Sequence, residues 1–68
     1  MKNRIKEFRA KNNWNQDEVA KKANISRQTI SLIERDNLIP SVITAIKISK
    51  VFSVNVEDIF LLEEEEWN

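Results

Sequence analysis

The chain has 68 residues, with 11 basic and 11 acidic side chains that cancel to no formal net charge. It contains no Cys, His or Gly, which excludes disulfides, the usual zinc ligand sets, a thiol nucleophile and a glycine-rich phosphate cradle. One small domain held together by packing alone is expected. No apolar run is long enough to span a bilayer and no signal-type leader opens the chain, so neither a membrane nor a secretory role is expected. The absence of cysteine fits a cytoplasmic protein.

Helical spacing dominates over strand alternation, and five helices are predicted. The first runs over about residues 2–11, with Ile5, Phe8 and Arg9 on one face. The second, about 16–23, is lined by Val19, Ala20 and Ala23. The third, about 27–35, turns Ile30, Ile33 and Glu34 inward. The fourth, about 42–52, carries Val42, Ala45, Ile48, Ser49 and Phe52. A short fifth, about 56–61, holds Ile59 and Phe60. The segment Phe60–Leu62 could extend as a strand, against its mate or against residues 1–3. An acidic tail, 63–68, follows a domain of residues 1–62.

One pattern marks three of the helix starts. An apolar residue precedes a cap residue, and a second apolar residue follows five positions after the first: Trp14-Asn15…Val19, Ile25-Ser26…Ile30 and Val54-Asn55…Ile59. Asn or Ser at the cap accepts a backbone N–H, and the apolar pair staples the entering chain. Ser41, after Pro40, caps the fourth helix. With no glycine present, asparagine is the next best residue for a left-handed helix end. Asn12 or Asn13, Asn24 and Asn37 are placed for that role.

Only Asn24, Ile25 and Ser26 separate helices 2 and 3, the spacing of a helix-turn-helix. Ala20 is small enough for the two helices to cross closely. With Ile30 and Ile33 inward, Arg27, Gln28, Ser31 and Leu32 face away from the core. Arg and Gln can pair with guanine and adenine edges, and Leu can touch a thymine methyl. The charge distribution agrees. Residues 1–35 hold nine basic and four acidic side chains, whereas 36–68 hold two basic and seven acidic. A polyanion partner is therefore expected for the first half only.

The ordered set Ile5-Lys6-Glu7-Phe8-Arg9, Asn15-Gln16-Asp17-Glu18-Val19-Ala20, Ile25-Ser26-Arg27-Gln28-Thr29-Ile30, Ile33-Glu34, Pro40-Ser41 and Ile48-Ser49-Lys50-Val51-Phe52 resembles the lambda-repressor-like (Xre, Cro-type) helix-turn-helix family. The resemblance covers about residues 3–61. It implies a compact all-α five-helix domain, with the helix-turn-helix at helices 2 and 3. The implied function is repression of transcription by a dimer bound to operator DNA. Gln16 matches a phosphate-contacting glutamine at a helix N-terminus, a position that suits an anion. Arg27, Gln28, Thr29 and Leu32 match base-facing positions, and Ser31 lies nearby. Ser26, Arg35 and Asn37 complete the expected phosphate contacts. Arg9 and Glu34 match a buried ion pair between helices 1 and 3.

The sequence departs from the family where Asn24 and Ser53 replace glycine and where Arg35-Asp36-Asn37 follows the helix-3 glutamate. Asp36 disfavours close phosphate approach, and Leu38-Ile39 supplies no base for a minor groove, so a shallow salt dependence is expected. Ile43 and Val51, outside the main stripe of helix 4, join Leu61, Leu62 and Trp67 as expected homodimer contacts. No cofactor, metal or small-molecule site is indicated, and without His or Cys an enzyme is not expected. The alternative reading is a protein-interaction module on the same fold (antitoxin, antirepressor or adaptor), motivated by the acidic tail and Trp67.

Overall fold

The computed structural model describes all residues, Met1–Asn68. In chain order the elements are β1 (Lys2–Asn3), α1 (Ile5–Asn12), α2 (Gln16–Ala23), α3 (Arg27–Glu34), α4 (Val42–Val51), α5 (Val56–Ile59) and β2 (Phe60–Leu61), closed by a 3-10 turn at Glu64–Trp67. The five helices fall where the spacing places them. The two ends of the chain differ from the sequence expectation.

Residues 2 and 3 are not helical. They pair antiparallel with β2, with Lys2 opposite Leu61 and Asn3 opposite Phe60. Asn3 is the cause at the near end: its side-chain oxygen accepts the Ile5 N–H at 3.1 Å, and its amide donates to the Ile33 carbonyl at 2.8 Å. Helix 1 therefore starts at Ile5, and helix 5 stops at Ile59 so that Phe60 can enter the ribbon. Of the two strand arrangements the sequence allows, the intramolecular one forms. The α-amino group of Met1 then bonds Glu63 at 2.8 Å and Glu66 at 2.9 Å. These hydrogen bonds, Glu63 first, hold the amine above its ordinary range. The Glu66 carboxyl is held low, first by the Glu63 backbone N–H and then by the amine.

Three of the four caps form as read: Asn15, Ser26 and Ser41 each accept the N–H three residues ahead through their side chains, and Glu18 closes a box by accepting the Asn15 N–H. At α5 the Asn55 side chain makes no cap bond; Asp58 accepts the Asn55 N–H at 3.0 Å, and the Asp58 N–H bonds the Asn55 carbonyl. The helix ends share a second device. Asn13, Asn24, Asp36 and Ser53 are left-handed, with φ of 57°, 55°, 61° and 56°. Each closes its helix with the paired backbone bonds of a Schellman turn; at α2 these are Asn24 N–H to Lys21 and Ile25 N–H to Ala20. In three corners the next residue is apolar and the one after it caps the following helix. Asn13-Trp14-Asn15, Asn24-Ile25-Ser26 and Ser53-Val54-Asn55 are thus one corner used three times. After α3 the left-handed residue is Asp36, not the expected Asn37. The helix ends at Glu34, which places the reversal two residues later, and Asn3 and Lys2 hold the Asp36 carboxylate there at 3.0 and 3.5 Å.

Ile5, Val19, Ile30, Ile33, Ile48 and Ile59 are fully buried, with Ala20, Ala23, Phe52 and Phe60 completing the core. Phe52 stacks between Phe8 and Trp14, at centroid distances of 5.8 and 5.6 Å. Val42 does not join the helix-4 stripe. As the first residue of α4 it stands beyond the edge of the core, 75% exposed, at the rim of an apolar cleft with Met1, Ile46 and Phe60.

Serine has little side-chain compensation for a left-handed φ, whereas asparagine has some. Ser53→Gly is expected to stabilise the fold by about 0.5–1 kcal/mol, strain relief outweighing the added freedom of the unfolded chain. Asn24→Gly should stay within about 0.5 kcal/mol of the parent. Urea titrations of the two variants check the contrast.

Candidate nucleic-acid interface

The corner between α2 and α3 sets the geometry of the site. Asn24 turns the chain, and Ile25 packs against the core. Ser26 accepts the Thr29 N–H at 3.0 Å, and the two hydroxyls are 2.8 Å apart. Ala20 and Ala23 are nearly inaccessible beneath Ile30 and Ile33, so small residues on one helix admit branched residues from the other. The inner face of α3 is fixed, and its outer face follows from the 100° step of the helix.

On that face Gln28 and Leu32 lie opposite the core, with Ser31 and Arg35 alongside. Gln28 and Arg35 are exposed, and Ser31 and Leu32 are half-buried. Arg27 is exposed but sits toward α2, where its Nε lies 3.6 Å from Asp17 Oδ1. Thr29 stands on the other flank, and its hydroxyl is engaged with Ser26. The structure thus gives Gln28 and Leu32 the central place, Arg27 one edge and Thr29 the other. Asn37 is exposed just past the helix, its N–H bonded to the Leu32 carbonyl at 2.9 Å.

Behind this surface lies the ion pair. Arg9 Nε and Nη2 donate to the two oxygens of Glu34 at 2.6 and 3.0 Å, and Nη1 donates to the Trp14 carbonyl at 3.1 Å. The Glu34 side chain is 7% exposed and that of Arg9 16%. Bonding to Glu34 raises the Arg9 pKa above its already high ordinary value, so this cation does not titrate within the working range. A third donor reaches Glu34: Gln16 Nε2, at 3.3 Å. The expected phosphate contact is therefore half-buried and tethered through its side chain to the end of α3, at the N-terminus of α2.

Sequence reasoning missed three features of this surface. Asp17 partners Arg27, and Lys2 and Asn3 partner Asp36, so the carboxylate expected to repel phosphate is partly neutralised. Lys21 lines an open groove with Asp17, Asn24, Ser26 and Arg27 beside the start of α3. Residues 2 and 3 are brought there by strand pairing with residues 60 and 61, which no local pattern signals. Among the expected dimer residues Ile43, Leu61, Leu62 and Trp67 are exposed. Val51 is half-buried against the core, on the opposite flank of α4 from Val42 and Ile46. No cluster of three or more His, Cys, Asp or Glu side chains is arranged to hold a metal, and no helix is long and apolar enough to cross a membrane.

Comparison with known proteins shows the family. A helix-turn-helix family model matches residues 5–59. An uncharacterised HTH-type transcriptional regulator of Archaeoglobus fulgidus is 48% identical over 66 residues, covering 97% of this chain and 93% of its own. The Bacillus subtilis regulator YgzD, bearing the same description, is 43% identical over 65 residues, or 96% and 98% of the two chains. A counterpart from Methanocaldococcus jannaschii is 48% identical over 66 residues, 97% of this chain and the whole of its own.

Removing one partner of the Arg9–Glu34 pair leaves a buried charge alone. Arg9→Met should destabilise the fold by about 3–5 kcal/mol, and adding Glu34→Leu should recover much of the loss. Thermal unfolding of the single and double variants checks both directions.

Proposed function

The chain belongs to the helix-turn-helix family of DNA-binding transcriptional regulators, which are not enzymes, and on that premise we propose that it is a cytoplasmic repressor that binds a palindromic operator as a homodimer. The observation that carries the reading is the outward face of α3, where Gln28 and Leu32 stand centrally with Ser31 and Arg35 alongside and Arg27 at one edge. In the proposed complex α3 enters the major groove. Gln28 and Arg27 address base edges through hydrogen bonds, and Leu32 offers an apolar contact to a thymine methyl. Ser31 and Thr29 flank them. Gln16, Ser26, Arg35 and Asn37 contact phosphates and set register. Repression is steric, by exclusion of polymerase from the covered promoter.

The homodimer reading rests on apolar surface. Ile39, Val42 and Ile43 are 64%, 75% and 68% exposed, and Leu38, Ile46, Leu61 and Leu62 extend the patch. Isolated apolar residues are ordinary on a surface, but Val42 and Ile46 also line an apolar cleft with Met1, Pro40, Ala45, Val56 and Phe60, and apolar surface of that kind suits an interaction face. A two-fold pairing through it would set the two recognition helices to read half-sites about 34–36 Å apart. Val51 contributes to the core side of α4 and has no part in this pairing.

Selection from a random duplex pool, with solution mass in parallel, tests the reading. A palindrome with half-sites one turn apart and a dimeric mass are expected. Arg27→Ala and Gln28→Ala should each cost about 1–3 kcal/mol and relax one base position, whereas Gln16→Ala should weaken all sequences alike. Ile43→Glu should give a monomer that binds a half-site without cooperativity. Unchanged affinity and base preference in both α3 variants would overturn the assignment. A second reading, an interaction module on the same fold, is favoured by Trp67, 74% exposed among acids. Because Glu63 and Glu66 are tied to Met1, point variants in this segment test it better than truncation.

A further inference from the structure

Away from α3, the surface between α2 and α4 carries a groove of about 410 Å³ lined by Trp14, Lys22, Ala23, Lys47, Lys50 and Val51. Three features mark it. No carboxylate lines it, and none of its lysines is paired with one. Its floor is aromatic and apolar: Trp14 lies on Phe52, and Lys22 Nζ sits 4.7 Å from the centre of the indole ring. A further cation, Lys11, extends the basic surface over Phe8, 5.0 Å from that ring centre. A ligand for such a groove is an anion with an apolar or aromatic group beside it.

The chain displays that chemistry at its other pole. In the 3-10 turn Glu64–Trp67, side chains three apart eclipse one another. Glu63 and Glu66 form one such pair and turn to the Met1 amine. Glu64 and Trp67 form the other, and both are exposed, as is Glu65. None of the three makes a hydrogen bond or an ion pair through its side chain, so the outer edge of the turn offers an indole beside free carboxylates. A chain does not fill its own groove. The turn is anchored to Met1, which packs with Val42 and Ile46, and the groove lies on the Lys47–Val51 flank of the same helix.

We infer that the groove between α2 and α4 receives the acidic segment Glu63–Trp67 of a second copy, with Glu64 and Glu65 against Lys22, Lys47 and Lys50 and the Trp67 indole against Trp14, Ala23 and Val51. The contact is heterologous, joining unlike surfaces, so it continues from copy to copy unless a closed ring forms. Where the apolar face pairs two chains, this contact links pairs to one another. It goes beyond the operator reading and does not depend on it.

The test uses two full-length chains, both carrying Ile43→Glu to remove pairing through the apolar face: a fluorescently labelled donor with Lys47→Glu and Lys50→Glu, which silences its own groove, and a receptor with Glu64→Gln, Glu65→Gln and Trp67→Ala, which silences the resident segment. Saturable binding by anisotropy is expected, weakening as ionic strength rises from about 0.05 to about 0.5 M. Amide and indole shifts should centre on Trp14, Lys22 and Val51. Adding Lys47→Glu and Lys50→Glu to the receptor should weaken binding at least about tenfold, and adding Glu64→Lys and Glu65→Lys to the donor should restore it. Unchanged melting temperatures would show that the receptors remain folded. The inference is overturned by no binding, by equal binding to both receptors, or by shifts confined to the Val42–Ile46 cleft. It is also overturned if Lys47→Glu and Lys50→Glu in the receptor weaken binding to all DNA sequences but leave donor binding intact. Operator binding is scored separately, so loss of one reading does not entail loss of the other.

Discussion

Three donors from two neighbouring helices converge on the carboxylate of Glu34, and the placement of the outer face of α3 depends on that convergence. Two come from Arg9 on α1 and one from Gln16 on α2. A carboxylate in the last turn of a helix opposes the helix dipole, and a nearly buried one also loses its hydration. Both penalties are met because the guanidinium binds in the bidentate geometry that matches a carboxylate. The remaining guanidinium nitrogen ties down the Trp14 carbonyl in the corner between α1 and α2. One charge pair therefore fixes the C-terminal end of α3 and the approach to α2. Ser26 fixes the N-terminal end of α3. Held at both ends, the eight-residue helix has its outer face set by geometry rather than by its own marginal helicity.

The same economy of devices explains how a chain without glycine makes four sharp reversals. Each left-handed position costs some strain, smaller for Asn and Asp, whose side chains bond locally, than for Ser. The strain is offset by what surrounds it. At all four, two backbone bonds close the preceding helix; at Asn13, Asn24 and Ser53 an apolar residue then packs against the core and the next residue opens the following helix, whereas Asp36 is held by Asn3 and Lys2. Trp14, Ile25 and Val54 each serve two helices at once, so a substitution at one of them disturbs both neighbours.

What was legible in the sequence is what local chemistry decides. Asn15, Ser26 and Ser41 announce helix starts because a cap needs only its own side chain and the next turn. The pairing of Arg9 with Glu34 was legible through the resemblance and through the cost of burying either charge alone. The rest depended on distant partners. Lys2 and Asn3 become a strand because Leu61 and Phe60, at the far end of the chain, come alongside them. Asp36 rather than Asn37 takes the left-handed turn because α3 ends at Glu34 and because Asn3 waits beside it. Val42 matches the helical stripe in sequence, but nothing lies above it. Arg27 reads as a free cation until α2 brings Asp17 within reach.

That last contact bears on how such a surface can be both ordered and available. An exposed ion pair contributes only about 0–1 kcal/mol, so Asp17 restrains the Arg27 side chain without holding it against a competing polyanion. The Gln16 amide is likewise held by one long bond at 3.3 Å, while the stronger Arg9 bonds keep Glu34 in place if Gln16 turns outward. Arg27 and Gln16 are therefore the weakly held members of this surface, while the stronger Arg9–Glu34 pair behind it is nearly buried. Binding would exchange weak intramolecular bonds for contacts to the duplex and leave the framework unmoved. The acid-free groove and the free acids of the C-terminal turn lack even such weak internal partners, which is why a contact between copies is the natural place for their charges to meet.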